Sequence, residues 1–138
     1  MEAAYRSVTG RSLSSYIDER LRIREENIRS WEKWVPRAVE EIRKRLRDAE
    51  VYLVGSVARG ELHRAHDVDL LVVTRHPPRR REEAKRLVEE VRRAAGLTRL
   101  HPLDVHFATP EEREKWLRHS RASKKLAEGG GESGEGKT

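Results

Sequence analysis

The most constraining feature of the chain is a glycine-serine pair placed between two short apolar runs. The first run is residues 51–54, Gly55 and Ser56 follow it, and ten residues later Asp67 and Asp69 open the second run. Apolar runs of this length, separated by glycine and polar residues, predict a strand, a turn and a second strand. Two carboxylates at the start of a buried strand repel each other and resist the loss of water. A bound divalent cation is therefore expected there.

Composition favours one small, soluble, intracellular domain. The chain has 138 residues, of which 36% are hydrophobic and 39% charged, so its core must be modest. It contains no cysteine, which excludes disulfides and thiolate metal sites, and no apolar run of the roughly 20 residues that cross a membrane. A net charge of +6 invites phosphate-bearing partners, although a solvated surface explains it equally well. The arginine excess and the charge density indicate a thermophilic source.

Helical spacing dominates the N-terminal quarter. Apolar residues recur at intervals of three, four and seven between residues 12 and 35, and Pro36 is expected to kink or end that helix. A second short helix is predicted to run to about residue 48. Glycine, serine and charge at the C-terminus predict a disordered tail. The expected organisation is a helical extension, a folded domain and a tail: 1–36, 37–128 and 129–138.

A crossover unit follows the first strand. Strand two is predicted over residues 68–74, a helix has its apolar positions between 84 and 95, and strand three covers 103–107. A strand, helix, strand connection predicts parallel strands with a right-handed crossover. We therefore expect a mixed α/β (α+β) fold with three core strands in the order 1-2-3 and helices on one side.

Acidic residues gather at one end of this predicted sheet. Asp104 opens strand three, about one strand spacing from Asp67 and Asp69, so the three carboxylates are expected to converge. A triad of carboxylates suits one or two Mg²⁺ ions. Gly55 lets backbone approach a phosphate closely and the Ser56 hydroxyl adds a hydrogen bond. The pattern therefore predicts a site for a nucleoside triphosphate and metal, with Arg59 neutralising the remaining phosphate charge.

These motifs resemble the minimal nucleotidyltransferase group of the DNA polymerase β superfamily. The resemblance covers about residues 38–108 and includes the glycine-serine pair, the ten-residue spacing, the aspartate-x-aspartate and a later acid on an apolar strand. It implies the nucleotidyltransferase fold and transfer of a nucleoside monophosphate to an acceptor hydroxyl. The donor implied is ATP or another nucleoside triphosphate, with Mg²⁺ as cofactor.

The resemblance also implies roles for the residues of this chain that match the family's motif. Asp67 and Asp69 would be metal ligands, and Asp104 would be the third carboxylate and the general base. Gly55 and Ser56 would hold the nucleotide phosphates. The resemblance also implies a small helical HEPN-type protein as partner and acceptor, with this chain as the antitoxin of the pair.

Three features leave alternatives open. His66 stands where the family commonly has serine, which would alter phosphate contacts or make metal binding more dependent on pH. His106 shares a strand face with Asp104 and either reaches the site or is a polar residue near a sheet end. Three residues at the end of the N-terminal helix either pack on the domain or form a surface for a partner or an oligomer: Trp31, Trp34 and Val35.

Two rival functions accompany this interpretation. The first is a module of the same fold that binds nucleotide or masks a partner without catalysis. The second is nucleic-acid binding through basic clusters, which the lack of interleaved aromatic residues disfavours. The clusters are Arg75, Arg79, Arg80 and Arg81, then Arg118, Arg121, Lys124 and Lys125.

Overall fold

Five α-helices, two 3₁₀ helices (Leu62–Arg64 and Pro110–Glu112) and four strands make up the fold of the described residues, 12–98 and 100–129, in a computed structural model. Apart from Gly129, the expected tail lies outside them. The helices are α1 (Leu13–Arg29), α2 (Trp31–Arg45), α3 (Gly55–Ala58), α4 (Arg81–Ala94) and α5 (Arg113–Ser120), and the strands are β1 (Glu50–Val54), β2 (Val68–Val73), β3 (Leu103–Ala108) and β4 (Lys124–Ala127).

The strands form one mixed sheet in the order β3-β2-β1-β4. Strands β2 and β3 are parallel, as the crossover through α4 predicts, while β1 is antiparallel to β2 and to β4. The predicted mixed α/β class and the order of the first three strands are therefore confirmed. The sequence interpretation missed β4, because its four residues, two of them lysines, have too weak an apolar pattern to identify a strand.

Helices cover both faces of the sheet, so the expectation of helices on one side was wrong. Buried residues of α2 and α4 pack against Val68, Leu70 and Val72 on one face. Leu71 and Val73 point to the opposite face, where they pack with residues of α5. Successive residues of a strand point to opposite faces, and both sets in β2 are apolar, so both faces of this strand need cover.

The N-terminal helix breaks at Ser30 rather than at Pro36. The Asn27 carbonyl would accept the Trp31 N–H in an unbroken helix, but it accepts the Trp34 indole N–H at 2.8 Å. Pro36 lies inside α2 near its start. Its missing N–H leaves one backbone hydrogen bond unmade without ending the helix.

Because of this break, the last residues of the predicted apolar stripe pack into the core. Trp34 and Val35 are buried, at 7% and 1% exposure, so they do not form the alternative partner surface. The beginning of the stripe remains open, because Leu13, Ile17 and Leu21 are 36–55% exposed. Among the described residues, no helix is both long enough and apolar enough to cross a membrane.

Two local predictions at helix ends are confirmed. Gly96 follows α4 with φ +77°, the left-handed conformation that glycine adopts easily at helix ends. Thr109 and Glu112 form the predicted capping box, in which the Thr109 N–H donates to the Glu112 carboxylate at 2.9 Å. The box starts a 3₁₀ turn that leads into α5.

Candidate active site

Two carboxylates lie side by side where β2 and β3 begin. Asp69 and Asp104 are direct partners in the parallel register of these strands. Both alternate with residues that pack toward α2 and α4, so they lie on the α5 side of the sheet. One ligand atom from each of Asp69, Asp104 and His106 lies within 4.8 Å of the others. The sequence prediction that acids from strands two and three meet holds for this pair.

His106 completes this cluster, so of its two possible positions it takes the one that reaches the site. Its Nε2 lies 3.1 Å from Asp69 Oδ1 and 3.4 Å from Asp104 Oδ2. The hydrogen bond to Asp69 raises the pKa of His106 above its usual value against the opposing effect of burial. The available signal was its position two residues after Asp104, which places both side chains on one strand face.

Asp104 is held in conditions that disfavour its charge. Burial raises the pKa of the Asp104 carboxyl, His106 opposes that rise, and the negative charges of Asp69 and Asp67 add to it. A cation between the carboxylates would relieve this repulsion.

Asp67 lies close by but has a different partner. The Arg24 guanidinium of α1 donates from Nη2 to Asp67 Oδ1 at 2.8 Å and to the His66 carbonyl at 2.7 Å. Asp67 is not one of the three residues of the cluster, so the expected convergence of all three aspartates is met by Asp69 and Asp104 only. The His66 side chain is exposed, as is that of His63.

Gly55 lies directly against Asp69. It has φ +77°, and a Cβ built there would lie 2.5 Å from Asp69 Oδ2, so glycine is required both by the backbone and by the close approach. Its N–H donates to Ser120 Oγ at 3.0 Å. Ser120, at the end of α5, is buried and was not singled out in the sequence, since nothing local distinguishes it from a surface serine.

Arg59 and Ser56 lie beside Gly55 and contact each other. Arg59 donates from Nη2 to Ser56 Oγ at 3.2 Å and from Nη1 to the Ser120 carbonyl at 3.1 Å. It also pairs with Glu61 at 3.2 Å. These contacts fix the guanidinium in place at the cleft.

A cleft of about 640 Å³ opens beside the acidic pair, a size typical of small-molecule sites. Three cationic or titratable side chains line it together with Asp69 and His106. They are Arg59, His119 and Arg121. A cleft that brings Asp69 together with two arginines matches a ligand that carries phosphates and a bridging cation.

The donor set suits a divalent cation. Carboxylate oxygens are the ligands that Mg²⁺ and Mn²⁺ prefer, and an imidazole nitrogen is accepted by transition metals such as zinc or iron. Burial raises the pKa of Asp104, and the negative charges of Asp69 and Asp67 add to the rise, so the acids are held together with incomplete compensation. The residues present therefore fit the cation that the sequence predicts.

Comparison with known proteins decides the family. A model described as a nucleotidyltransferase domain matches residues 35–127, which include both strands that carry the acidic pair. The chain belongs to the nucleotidyltransferase domain family. Nucleotidyl transfer is the general activity of that family.

A similar crystal structure is that of a protein described provisionally as a nucleotidyltransferase. It is 25% identical over 64% of this chain and 91% of that one, with a TM-score of 0.49. No curated protein matches the chain in sequence. In this nucleotidyltransferase the family match begins inside α2, so α1 and its Arg24 lie outside it.

Proposed function

We propose that this nucleotidyltransferase transfers a nucleoside monophosphate, AMP from ATP, to an acceptor hydroxyl and releases pyrophosphate. The observation that carries the proposal is the register of Asp69 opposite Asp104 on parallel strands, with Gly55 packed against Asp69. This arrangement concentrates negative charge at the mouth of a cleft lined by arginines.

Asp69 and Asp104 would hold Mg²⁺, with His106 beside them and Asp67 available if its contact with Arg24 opens. When bound, the cation would neutralise phosphate charge and polarise the phosphorus that is attacked. The two aspartates contribute by fixing where positive charge is held. Gly55 contributes by leaving room for the Asp69 carboxylate.

Arg59 and Arg121, which line the cleft, would hold the phosphates. Arg59 is fixed by its contacts with Ser56, Glu61 and the Ser120 carbonyl, so its guanidinium loses little freedom when an anion binds. Arg121 lines the same cleft. Guanidinium groups pair with phosphate oxygens through two parallel hydrogen bonds, which positions the chain of phosphates as well as neutralising it.

Asp104 is the proposed general base. The support for this role is the sequence resemblance and the position of Asp104 beside Asp69 at the start of β3. Asp104 would take the proton of the acceptor hydroxyl as that oxygen bonds to the α-phosphorus. The bond from the α-phosphorus to the bridging oxygen breaks, and pyrophosphate leaves with the electron pair.

We further propose that the acceptor hydroxyl belongs to a small helical HEPN-type protein and that transfer neutralises it, which makes this chain an antitoxin. The support is the sequence resemblance to minimal nucleotidyltransferases. Base preference for adenine rests on the same resemblance.

Label transfer tests the proposal. The purified chain is incubated with each of the four α-³²P-labelled nucleoside triphosphates and Mg²⁺, with and without a co-expressed helical partner. Label is expected on the partner from ATP, and Asp69→Asn and Asp104→Asn should each lower the rate by at least about 100-fold. Glu82→Gln, which removes an exposed acid from α4, is the matched control and should transfer normally.

Two outcomes would contradict it. If wild type transfers no label while it binds nucleotide, the chain is a non-catalytic module that binds nucleotide or masks its partner. If Asp69→Asn and Asp104→Asn transfer label at the wild-type rate, catalysis takes place elsewhere on the chain.

A further inference from the structure

Arg24 links the N-terminal helix to one of the two motif acids. Its guanidinium contacts Asp67 Oδ1 at 2.8 Å, across 43 positions of sequence, and the His66 carbonyl at 2.7 Å. Both side chains of the ion pair are partly shielded, with 33% exposure for Arg24 and 43% for Asp67. The helix that carries Arg24 lies outside the region matched by the family, whereas Asp67 lies inside it.

The contact opposes cation binding at Asp67. A metal ion that uses Oδ1 of this carboxylate must displace the guanidinium or bind beside a positive charge. Charge-assisted hydrogen bonds of this length are among the stronger ones in proteins. In this arrangement Asp67 pairs with Arg24 and is not part of the cluster of Asp69, Asp104 and His106.

The helix that carries Arg24 is weakly attached. Ile28 is the buried residue of α1, close to its C-terminal end, and Ile23 is partly buried, while four large apolar residues nearer the N-terminus are exposed. These are Leu13, Tyr16, Ile17 and Leu21. A groove of about 660 Å³ is lined by α1 residues from Leu21 to Arg29 and by the loop that includes Leu62 and His66. Elements with few buried apolar contacts open at low free-energy cost.

We propose that α1 is an inhibitory latch: Arg24 competes with the divalent cation for Asp67, and displacement of Arg24 opens the site to tighter cation binding. The inference rests on the proposed function, in which Asp67 lies at the cation site. By linkage the coupling is reciprocal, so a bound cation weakens the hold of Arg24 on Asp67 and loosens α1.

Binding of Mn²⁺, followed by calorimetry and by the electron paramagnetic resonance of the free ion, tests the latch. Arg24→Gln should bind Mn²⁺ at least about fivefold more tightly than wild type, the lower end of typical coupling between sites. Arg29→Gln is the matched control, because it removes a positive charge from the same helix at a residue whose partner is Glu25, 3.9 Å away on the surface. It should leave the affinity unchanged.

A second pair of measurements separates competition from a general effect on folding. In the Asp67→Asn background, Arg24→Gln should no longer change the affinity, since the competing pair is already broken. Arg24→Lys keeps the charge and should bind Mn²⁺ more weakly than Arg24→Gln. In wild type, saturating Mn²⁺ should speed hydrogen exchange in the α1 amides.

The failures are distinguishable. If wild type binds Mn²⁺ and Arg24→Gln matches it or binds more weakly, the latch is wrong and the cation site stands. An equal gain in Arg24→Gln and Arg29→Gln also overturns the latch, as it shows a general charge effect. If neither wild type nor Arg24→Gln binds Mn²⁺, the proposed cation site fails and the latch fails with it.

Discussion

His106 Nε2 lies 3.1 Å from Asp69 Oδ1 across the parallel strands β2 and β3. This hydrogen bond raises the pKa of His106 above 6.5, with burial opposing it, so an imidazolium is favoured beside the acids when no cation is bound. Its contribution to stability is complete below about pH 6.5 and is lost as the pH rises through the raised folded pKa.

Cation affinity is expected to rise with pH for the same reason, because a cation must displace the His106 proton. Below the His106 pKa the apparent affinity for Mn²⁺ should rise by up to about tenfold per pH unit. Calorimetry between pH 6 and 8.5, in buffers of different ionisation enthalpy, measures the proton release. His106→Asn should flatten the dependence. An equally steep dependence in the variant would exclude His106 as the source.

Gly55→Ala should disturb both stability and the site. Alanine at φ +77° costs about 1–2 kcal/mol, and its Cβ would lie 2.5 Å from Asp69 Oδ2, so the carboxylate must rotate away. Gly60→Ala is the control, because it has φ +79° with no atom within 4 Å of the new Cβ. Urea unfolding should show a loss in both, larger in Gly55→Ala because of the added clash with Asp69, whereas Mn²⁺ affinity should fall in Gly55→Ala alone. Equal affinities would mean that Gly55 does not set the Asp69 position.

His101 should make the fold sensitive to acid. Its ring packs edge-on against Trp34 with centroids 3.8 Å apart, and within the described residues neither ring nitrogen has a hydrogen-bond partner. Burial, with the charges of Arg24 and Arg92, lowers its pKa to about 4. The unfolded chain therefore takes up a proton that the folded chain does not between about pH 6.5 and 4. The free energy of unfolding should fall with decreasing pH there, by up to about 1.4 kcal/mol per unit.

His101→Phe tests this assignment. Phenylalanine fills a similar space without buried polar atoms, so stability at pH 7 should rise by about 1 kcal/mol. Urea unfolding between pH 4 and 7 should show that the free energy of unfolding falls less toward acid pH than in wild type. The difference between the two proteins measures the contribution of His101. An unchanged pH dependence would place the sensitive group elsewhere.

Arg121→Gly should stabilise the protein while it weakens nucleotide binding. Arg121 ends α5 with φ +66°, a conformation that glycine adopts without strain, so unfolding should cost about 1 kcal/mol more in the variant. Its side chain lines the cleft, and its loss should lower the affinity for a fluorescent ATP analogue several-fold. Arg118→Gln removes a charge from the same helix outside the cleft lining and should change neither measurement strongly. Unchanged nucleotide affinity in Arg121→Gly would show that Arg121 does not bind the phosphates.

Local signals predicted the part of the site that local structure determines. Gly55 and Asp69 flank two apolar runs, and antiparallel pairing of those runs places them in contact. Asp104 follows from the parallel crossover, because register joins it to Asp69. These relationships need strand periodicity and a single turn, and both are visible in the sequence.

Contacts between distant segments could not be predicted in the same way. The position of Arg24 depends on where α1 ends, and that depends on the Trp34 indole taking the Asn27 carbonyl. Pro36 suggested a break six residues too late. Ser120 depends on how α5 lies against the sheet, which no short-range pattern specifies.

The hydrogen bond from the Gly55 N–H to Ser120 Oγ joins segments 65 residues apart. On a ribosome the second segment would emerge roughly 3–13 s after the first at ordinary elongation rates. During that interval β1 lacks its β4 neighbour and the acidic pair lacks the far wall of its cleft. A nascent chain is therefore expected to remain inactive until α5 and β4 have emerged. Until then the unpaired edge of β1 is prone to aggregation.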